Sequence, residues 1–379
     1  MFVLTFLGGI FTLLGYVGAA YALTATYLAG RFARKKSGVV DEFPPITILK
    51  PLHGPEPSLE HDLETFFVQD YPAPVQLVFG VSSPDDAAIA VVERLRARHP
   101  AAIAVVVIDD RHYGTNPKVS NLIGMRTAAL HDVLVLSDSD IAVTPDYLRR
   151  IAAALAPPGV GAVTCVYTGR VAAGFGSRLA AMGVNYHFLP NVITGLALRL
   201  TSPCFGSTIA IKKAVLDEIG GFAAFASQLA DDHEIGRAVR AKKHRVVIPP
   251  FAVRHACGET GIGEWFAHEL RWMRTIRTVN PGGHVGSIVT HGFPLALVGA
   301  ILSGFSELSL SVVLTTLVAR AVLKWRIDSL FAENAGPYWL LPLRDVLSFG
   351  VFLTSLFGVS VVWQNERLRV HEDGALSNR

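Results

Sequence analysis

Two aspartates, Asp138 and Asp140, follow a run of four apolar residues at positions 133–136. Because the run is continuous rather than alternating, it predicts a strand that is buried on both faces of a sheet. Both carboxylates are then expected at the carboxyl edge of that sheet, where open α/β sheets bind ligands. Carboxylate oxygens suit Mg²⁺ or Mn²⁺, which commonly completes its shell with substrate phosphates. The pair therefore predicts a site for a divalent cation and a diphosphate, although most isolated Asp-x-Asp triplets are solvated turns or helix caps.

Other polar residues follow neighbouring predicted strands. Asp85 and Asp86 come after the strand predicted at 75–81, where a carboxylate could accept a hydrogen bond from a nucleobase or a ribose hydroxyl. The alternative is that one of them caps the helix predicted at 87–98. Lys118 lies in the turn predicted after the strand at 103–108, where it could contact a phosphate or remain a solvated loop lysine.

A third acidic pair opens a predicted helix. Asp231 and Asp232 begin a helix that is expected to run through Val239. Acidic residues in a first turn usually stabilise the helix dipole. A carboxylate there could also be a general base if the sheet edge brings it close to the metal site. The sequence alone leaves both interpretations open.

Basic and aromatic residues lie on a later predicted helix, immediately before an apolar region. The segment 268–277 places Arg271, Trp272 and Arg274 on this helix. Arginines beside a membrane usually contact lipid headgroups. Because the chain also carries a predicted diphosphate site, these arginines are candidate partners of the diphosphate as well.

Alternating strands and helices are predicted to carry these side chains, which indicates an α/β domain. Strands are expected at 46–49, 75–81, 103–108, 133–136, 160–166 and 207–211. Ser58 is expected to cap a helix whose apolar residues recur at helical spacing. The apolar region 175–200 is either a segment in the membrane interface or a buried core helix.

The composition indicates a membrane protein. Of the 379 residues, 51% are hydrophobic and only 17% are charged. No charged residue precedes Arg31, so the N-terminal segment exceeds the roughly 20 apolar residues that a spanning helix needs. A signal peptide cleaved near Ala20-Tyr21-Ala22 is the alternative, but the basic residues Arg31, Arg34, Lys35 and Lys36 follow the apolar run instead of preceding it. The positive-inside rule then places the N-terminus outside and the following domain in the cytoplasm.

Further spans are predicted near the C-terminus. Pro281-Gly282-Gly283 marks the transition from the polar domain to apolar candidates at 293–305, 308–323 and 346–363. The segment 330–343 could be interfacial. The predicted organisation is therefore an N-terminal transmembrane helix at 1–30, a cytoplasmic domain at 31–285, a transmembrane region of two to three spans at 286–363 and a polar tail at 364–379.

Charge and cysteine content narrow the possible partners. The net charge is +3, but much of the excess lies beside the predicted spans. Anionic lipid headgroups are therefore favoured over nucleic acid. The cysteines, Cys165, Cys204 and Cys257, show no paired metal spacing and are expected to be free, buried thiols.

Taken in order, these motifs resemble those of inverting glycosyltransferases with the GT-A fold, and within that group the ceramide glucosyltransferase family. The resemblance covers about residues 40–280 and rests on six segments: 49–54, 63–67, 70–72, 85–89, 116–122 and 229–232. The segments Cys204-Phe-Gly206 and 268–277 are more similar to a bacterial branch associated with hopanoid biosynthesis. The resemblance implies a nucleotide-sugar-binding α/β domain of the GT-A type with transmembrane helices at both ends.

The resemblance also implies a role for each candidate residue. Asp138 and Asp140 would hold Mg²⁺ or Mn²⁺ and the diphosphate, and Asp232 would be the general base. Arg271 and Trp272 would bind the diphosphate and shape the acceptor side. The remaining donor contacts would come from Lys50, Pro51, Asp85, Asp86, Lys118 and His268. Two departures from the family pattern are His268, which stands where Gln or Arg is usual, and Asp140, which ceramide glucosyltransferases often lack.

The expected function is transfer of a sugar from a UDP-sugar to the hydroxyl of a membrane lipid, in the inner membrane of a bacterium. The acceptor and sugar implied are a hopanoid polyol with N-acetylglucosamine or a ceramide with glucose. A polysaccharide synthase is a rival within enzymes, but a polymer channel generally needs more helices than this chain offers. A non-catalytic transporter or scaffold is a rival from another class, and it has no chemical need for Asp138, Asp140, Asp232, Arg271 and Trp272 together.

Overall fold

The computed structural model describes residues 2–35, 38, 40, 42–358, 360–363, 366–370 and 376–378. The basic residue Lys36 and much of the predicted polar tail, namely 364, 365, 371–375 and 379, lie outside the described residues. The strands are β1 (Ile46–Pro51), β2 (Val75–Val81), β3 (Ile103–Ile108), β4 (Val133–Leu136), β5 (Ile141–Ala142), β6 (Val160–Thr164), β7 (Val166–Val171), β8 (Ile209–Lys212), β9 (Arg245–Val247), β10 (Ala252–Cys257), β11 (Ser360–Trp363), β12 (Glu366–Val370) and β13 (Leu376–Asn378).

Helices precede, connect and follow these strands. They are α1 (Phe2–Ala33), α2 (Leu59–Phe67), α3 (Ala88–Arg98), α4 (Pro117–Arg126), α5 (Tyr147–Leu155), α6 (Phe175–Gly183), α7 (Leu189–Ala197), α8 (Lys213–Glu218), α9 (Asp231–Ala241), α10 (Ile262–Val279), α11 (Pro281–Gly286), α12 (Gly292–Leu302), α13 (Glu307–Phe331) and α14 (Leu340–Ser355). A π-helix, Val184–Phe188, joins α6 to α7. Short 3₁₀ helices lie at Phe222–Phe225 and Ser287–Thr290.

A mixed seven-stranded sheet forms the centre of the α/β domain. Its strand order is β3-β2-β1-β4-β8-β6-β9. The strands β3, β2, β1 and β4 are parallel to one another, whereas β8 runs antiparallel to both β4 and β6. A second sheet, β5-β10-β7, lies beside it. Because β4 is central and β5 belongs to the second sheet, the β4–β5 connection with Asp138 and Asp140 lies where the two sheets meet.

The strands predicted at 75–81, 103–108 and 133–136 are confirmed with the same limits. All four residues of β4 are buried, as its continuous apolar run requires. β1 continues through Pro51, because it pairs with β2 as far as Gly80, so Lys50 is a strand residue and not part of a turn. The strand predicted at 160–166 is two strands, since the chain passes at Cys165 from the large sheet to the small one.

Apolar clusters cover both faces of the large sheet and continue toward α1 and α13. Residues such as Ile48 and Val135 lie in a cluster with α2, α3 and α5, while Leu49 and Leu136 face a cluster with α4 and α9. A third cluster joins residues of α6, the π-helix and α7 to residues of α1 and α13. The region 175–200 is therefore largely a buried helical segment, and it packs against helices that could span a membrane.

Two helices in the described part of the chain, α1 and α13, are long and apolar enough to cross a membrane. A third span results if the segments 281–290 and 292–302, which meet at a bend of 64°, are counted together. The span predicted at 346–363 is wrong, because α14 ends at Ser355 and residues 360–363 form a strand. The predicted interfacial segment 330–343 contains the end of α13 and the start of α14, with Tyr338 and Trp339 exposed between them.

Candidate active site

A buried lysine shapes the loop that carries Asp138 and Asp140. The ammonium of Lys50 donates hydrogen bonds to the backbone oxygen of Asp138 and, at 3.4 and 3.5 Å, to Ser137 Oγ and the Ile141 oxygen. Burial lowers the pKa of Lys50 to about 8, although the charges of Asp140 and Asp138 oppose this shift. Lys50 and Pro51 are both buried in β1. Their position favours a role in holding the loop over the direct donor contact that was predicted.

Lys118 connects the two predicted carboxylate sites. It lies in the first turn of α4, which begins at Pro117 with Asn116 as its cap, and not in a loop as predicted. Its Nζ lies 2.5 Å from Asp138 Oδ1 and 3.7 Å from Asp231 Oδ2. Burial alone would lower the pKa of Lys118, but these carboxylates raise it above its usual value. The structure therefore brings Asp138 and the start of α9 together around one ammonium group.

Asp140 has a partner that the sequence did not reveal. Its Oδ2 lies 3.1 Å from Nε2 of His255, a residue of β10. Burial alone would raise the pKa of Asp140, but the charge and hydrogen bond of His255 lower it. No spacing signal could have identified His255, because strand pairing brings it beside β5 from more than 100 positions away.

The carboxylates fit the divalent cation that the sequence predicted. Asp140 Oδ1 is buried and has no hydrogen-bond partner among the described residues. A buried carboxylate oxygen without a partner is unfavourable, and a bound cation would satisfy it. Asp138 lies two residues away with its carboxylate on Lys118. These hard oxygen donors suit Mg²⁺ or Mn²⁺.

Asp231 and Asp232 are neighbours with different surroundings. Asp231 is buried and accepts a hydrogen bond from Asn116 Nδ2 at 3.3 Å, and burial raises its pKa to about 6. Asp232 is half-buried, and its two oxygens accept from the backbone N–H groups of Gly206 at 2.9 Å and His233 at 2.7 Å. Burial also raises the pKa of Asp232. The two adjacent carboxylates are thus distinguished by their hydrogen-bond partners.

Gly206 lies between the two carboxylate sites, in close contact with the ends of two side chains. A Cβ atom at this position would lie 2.7 Å from Lys118 Nζ and 2.9 Å from Asp138 Oδ2. A side chain at this position would therefore require the ends of Lys118 and Asp138 to move away. The glycine therefore allows its own N–H to reach Asp232 while Lys118 reaches Asp138.

Asp85 and Asp86 also differ. Asp86 accepts from the backbone N–H of Ala88 at 2.8 Å and from that of Gly54 at 3.1 Å, so it tethers the start of α3 to the loop after β1. Asp85 is exposed. The alternative that one of the pair is a local cap is therefore confirmed for Asp86, whereas a nucleoside contact stays a prediction for both.

The arginines of α10 are used in different ways. Arg277 donates to the backbone oxygen of Ser355, the last residue of α14, at 2.5 Å. Arg274 donates to the backbone oxygen of Phe357, just after that helix, at 3.0 Å. Within the described part of the chain, the guanidinium of Arg271 has no hydrogen bond or ion pair. Burial lowers the pKa of Arg271, against the charge of Glu259. Arg271 is therefore the arginine of this helix that is free to take an anionic ligand.

Aromatic rings connect α10 to His255, the partner of Asp140. The ring of Trp272 lies 6.2 Å from His255, 6.3 Å from Phe188 of the π-helix and 4.7 Å from His268, between ring centres. His268 is paired through Nδ1 with Glu259, a buried carboxylate that the sequence reasoning missed. Trp272 thus packs against the third apolar cluster, which includes residues of the candidate membrane helices α1 and α13.

The chain is similar in sequence to known glycosyltransferases. A sequence profile described as glycosyl transferase family 21 matches residues 10–376. The chain is 25% identical over 351 residues to ceramide glucosyltransferase 1 of Caenorhabditis elegans, covering 88% of this chain and 73% of the relative. It is 33% identical over 115 residues to ceramide glucosyltransferase of Candida albicans, covering 27% of this chain and 21% of that protein.

A solved structure is similar over most of the chain. A mannosyltransferase from Pyrobaculum calidifontis, in complex with GDP-Man and Mn²⁺, superposes with a TM-score of 0.54 at 19% identity, covering 93% of this chain and 99% of that one. At this identity the likeness concerns the fold. It confirms the predicted GT-A-type α/β fold.

Proposed function

The chain belongs to glycosyl transferase family 21, and on that basis we propose that it transfers a sugar from a UDP-sugar to the hydroxyl group of a membrane lipid. The observation that carries the proposal is the position of Lys118, which lies 2.5 Å from Asp138 and 3.7 Å from Asp231. The cation and diphosphate site and the start of the general-base helix are thereby parts of one site. A transferase needs this arrangement, because the leaving group and the proton acceptor must flank the same sugar carbon.

The leaving group is handled by Asp138, Asp140 and Arg271. Asp138 and Asp140 would hold Mg²⁺ or Mn²⁺, which neutralises charge on the diphosphate when bound. The uncommitted guanidinium of Arg271 contacts the same diphosphate and stabilises its developing charge. Lys118 holds Asp138 in place and is also within reach of a phosphate oxygen.

Asp232 takes the proton from the acceptor. The lipid hydroxyl oxygen forms a bond to the anomeric carbon as the bond from that carbon to the UDP oxygen breaks, and the hydroxyl proton passes to Asp232. Attack from the face opposite the leaving group inverts the configuration, as in the inverting case of glycoside hydrolysis. The backbone N–H groups of Gly206 and His233 fix the direction of the Asp232 carboxylate.

The acceptor enters from the membrane side. Trp272 and Phe188 form an apolar wall that is continuous with the cluster around α1 and α13. A lipid can thereby present its hydroxyl to the cleft while its chains stay in the bilayer. The named relatives are ceramide glucosyltransferases, which supports a ceramide with glucose, while the segments at 204–206 and 268–277 support a hopanoid polyol with N-acetylglucosamine.

We place the domain at 31–285 on the cytoplasmic side of a bacterial inner membrane. Arg31 lies in the last turn of α1, Arg34 and Lys35 follow the helix, and nucleotide sugars are cytosolic metabolites. A polymer-exporting synthase has less support, because the described residues offer at most three spans.

The direct test uses full-length protein in nanodiscs with Mn²⁺ or Mg²⁺, UDP-glucose or UDP-N-acetylglucosamine, and either ceramide or a hopanoid polyol. Mass spectrometry of the extracted lipids should show a hexose or N-acetylhexosamine added to one acceptor. Sugar that is released only to water, or that accumulates as a polymer, would overturn the proposal.

A further inference from the structure

Helix α14 lies along α10, the helix that carries Arg271 and Trp272, and is fastened to it at both ends. Near the start of α14, Arg344 Nη2 lies 2.5 Å from Glu269 Oε1 of α10, and both side chains are largely buried. At the other end, Arg277 and Arg274 of α10 donate to the backbone oxygens of Ser355 and Phe357. These contacts restrict both sliding and tilting of α10 against α14.

The Arg344–Glu269 pair is built into a close junction of three helices. Arg344 Nε donates to the backbone oxygen of Leu179 in α6 at 2.9 Å. Trp265, which is fully buried, donates from Nε1 to the same Glu269 oxygen at 2.8 Å. Gly183 of α6 leaves the space for the pair, because a Cβ there would overlap Arg344 and lie 2.8 Å from Glu269 Oε1.

The next residue of α14 faces the membrane helices. Asp345 accepts two hydrogen bonds from Arg320 of α13, from Nε at 2.7 Å and Nη2 at 2.6 Å. Arg320 Nη1 donates to the backbone oxygen of Tyr186 in the π-helix at 2.6 Å. Consecutive residues of α14 therefore bind α10 on one side and a candidate membrane span on the other.

We propose that Arg344 and Glu269 are positioning residues for the transfer reaction: their ion pair fixes α10, and thereby Arg271 and Trp272, relative to the donor diphosphate. The inference rests on the proposed function, in which Arg271 contacts that diphosphate. Glu269 precedes Arg271 by two residues on one rigid helix, so a displacement at Glu269 moves Arg271 as well. Because the Arg271 guanidinium has no partner of its own in the described structure, the placement of α10 determines where it lies.

A double-mutant cycle separates positioning from general stability. The full-length variants Arg344→Met, Arg271→Ala and their combination are compared in nanodiscs by kcat/KM for the UDP-sugar. If Arg344 acts through Arg271, Arg344→Met should reduce kcat/KM about tenfold in the parent protein, within the range for coupled residues, and by less than about twofold in the Arg271→Ala background. An equal reduction in both backgrounds would overturn the inference.

Two further variants control for folding. Lys324→Met removes another buried cation, one that binds Tyr186 and Asp328 and does not contact α10. Lys324→Met should change kcat/KM by the same factor in the parent protein and in the Arg271→Ala background. Glu269→Gln keeps an oxygen for Trp265 but removes the charge, and it should reproduce the non-additive pattern of Arg344→Met even if the latter folds poorly.

Hydrogen exchange followed by mass spectrometry tests the same claim without any substrate. Peptides within 262–279 should exchange faster in Glu269→Gln than in the parent protein, while those of the same region in Lys324→Met should not. Unchanged exchange of α10 in Glu269→Gln would overturn the inference. A parent protein that transfers no sugar would instead contradict the proposed function, and the exchange result would still decide whether the pair positions α10.

Discussion

Charged side chains are arranged in opposite ways in the catalytic cleft and at the junction of α13 and α14. In the cleft, buried oxygens of Asp140, Asp231 and Glu259 have no hydrogen-bond partner within the described structure. At the junction, Arg320 binds both oxygens of Asp345 and the Tyr186 oxygen. Arg344 binds the Leu179 oxygen and one oxygen of Glu269, whose other oxygen has no hydrogen-bond partner within the described structure. Asp231 and Glu259 are about as buried as Asp345, whereas Asp140 is more exposed, so burial alone does not explain the difference.

The difference indicates which charges hold the fold and which do chemistry. An unpaired buried polar group costs stability, and a fold retains it only if something else is gained. In the cleft, a cation and a diphosphate can supply the missing partners. At the junction, Arg320 and Asp345 are already partners of each other. Changes to the junction charges should therefore affect stability, and changes to the cleft carboxylates that meet the cation or the acceptor should affect the rate.

Removal of the metal should have the largest effect. Chelation with EDTA, or Asp140→Ala, should abolish detectable transfer, because charge stabilisation by a metal is worth several kcal/mol, and about 1.4 kcal/mol corresponds to a tenfold change in rate. Added Mn²⁺ or Mg²⁺ should restore the chelated protein but not the variant. Full transfer in excess EDTA would show that Asp138 and Asp140 do not work through a cation.

Single substitutions of the two adjacent acids, Asp231 and Asp232, should separate an effect on the reaction rate from an effect on folding. Asp232→Asn should lower transfer by ~10²–10⁴-fold, the usual cost of losing a general base, while the protein still binds the UDP-sugar. Asp231→Asn is the matched control, and its loss should be much smaller, because Asp231 faces Asn116 and Lys118. Lipid product formation and donor binding are measured for both. Equal losses in the two variants would remove Asp232 from this role.

A substitution at the junction of α13 and α14 should lower the stability of the fold. Asp345→Asn leaves Arg320 without its charged partner, and breaking a buried pair typically costs about 3–5 kcal/mol. The measurement is unfolding in mixed detergent micelles, with Asp138→Asn as the comparison from the cleft. If Asp138→Asn destabilised the protein as much as Asp345→Asn, the contrast between the two regions would not hold.

The smallest effect is expected at the edge of the donor site. Asp86→Ala should destabilise the protein by about 1 kcal/mol, the usual cost of a lost cap, because two backbone N–H groups lose their acceptor. Asp85→Ala should leave the unfolding midpoint unchanged and, if Asp85 contacts the nucleoside, weaken UDP binding. Thermal unfolding and UDP titration of both variants distinguish the two roles.

Local patterns predicted much of the fold. The strands at 75–81, 103–108 and 133–136 follow from apolar runs between turn residues, and α1 and the core of α13 follow from composition. The end of α14 was not predictable in the same way. Its apolar sequence continues to Trp363, but the helix stops where Arg277 and Arg274 of α10 bind the following backbone oxygens.

The candidate site was predictable only where its residues lie in sequence motifs. Asp138, Asp140 and Asp232 stand at strand and helix ends, which a pattern can reveal. His255 and Glu259 reach the site through the pairing of β10 and the packing of α10, and no local pattern encodes those contacts. The burial of Lys50 under its loop likewise depends on the pairing of β1 with β2 and β4.

The anomeric configuration of the lipid product tests the central claim most directly, namely that Asp232 activates the lipid hydroxyl for one direct displacement of UDP. The purified protein is supplied with an α-linked UDP-sugar and the lipid acceptor, and the product is examined by proton NMR. The expected product is a β-linked glycolipid that forms only with a divalent cation. An α-linked product would contradict direct displacement, because it requires retention of configuration.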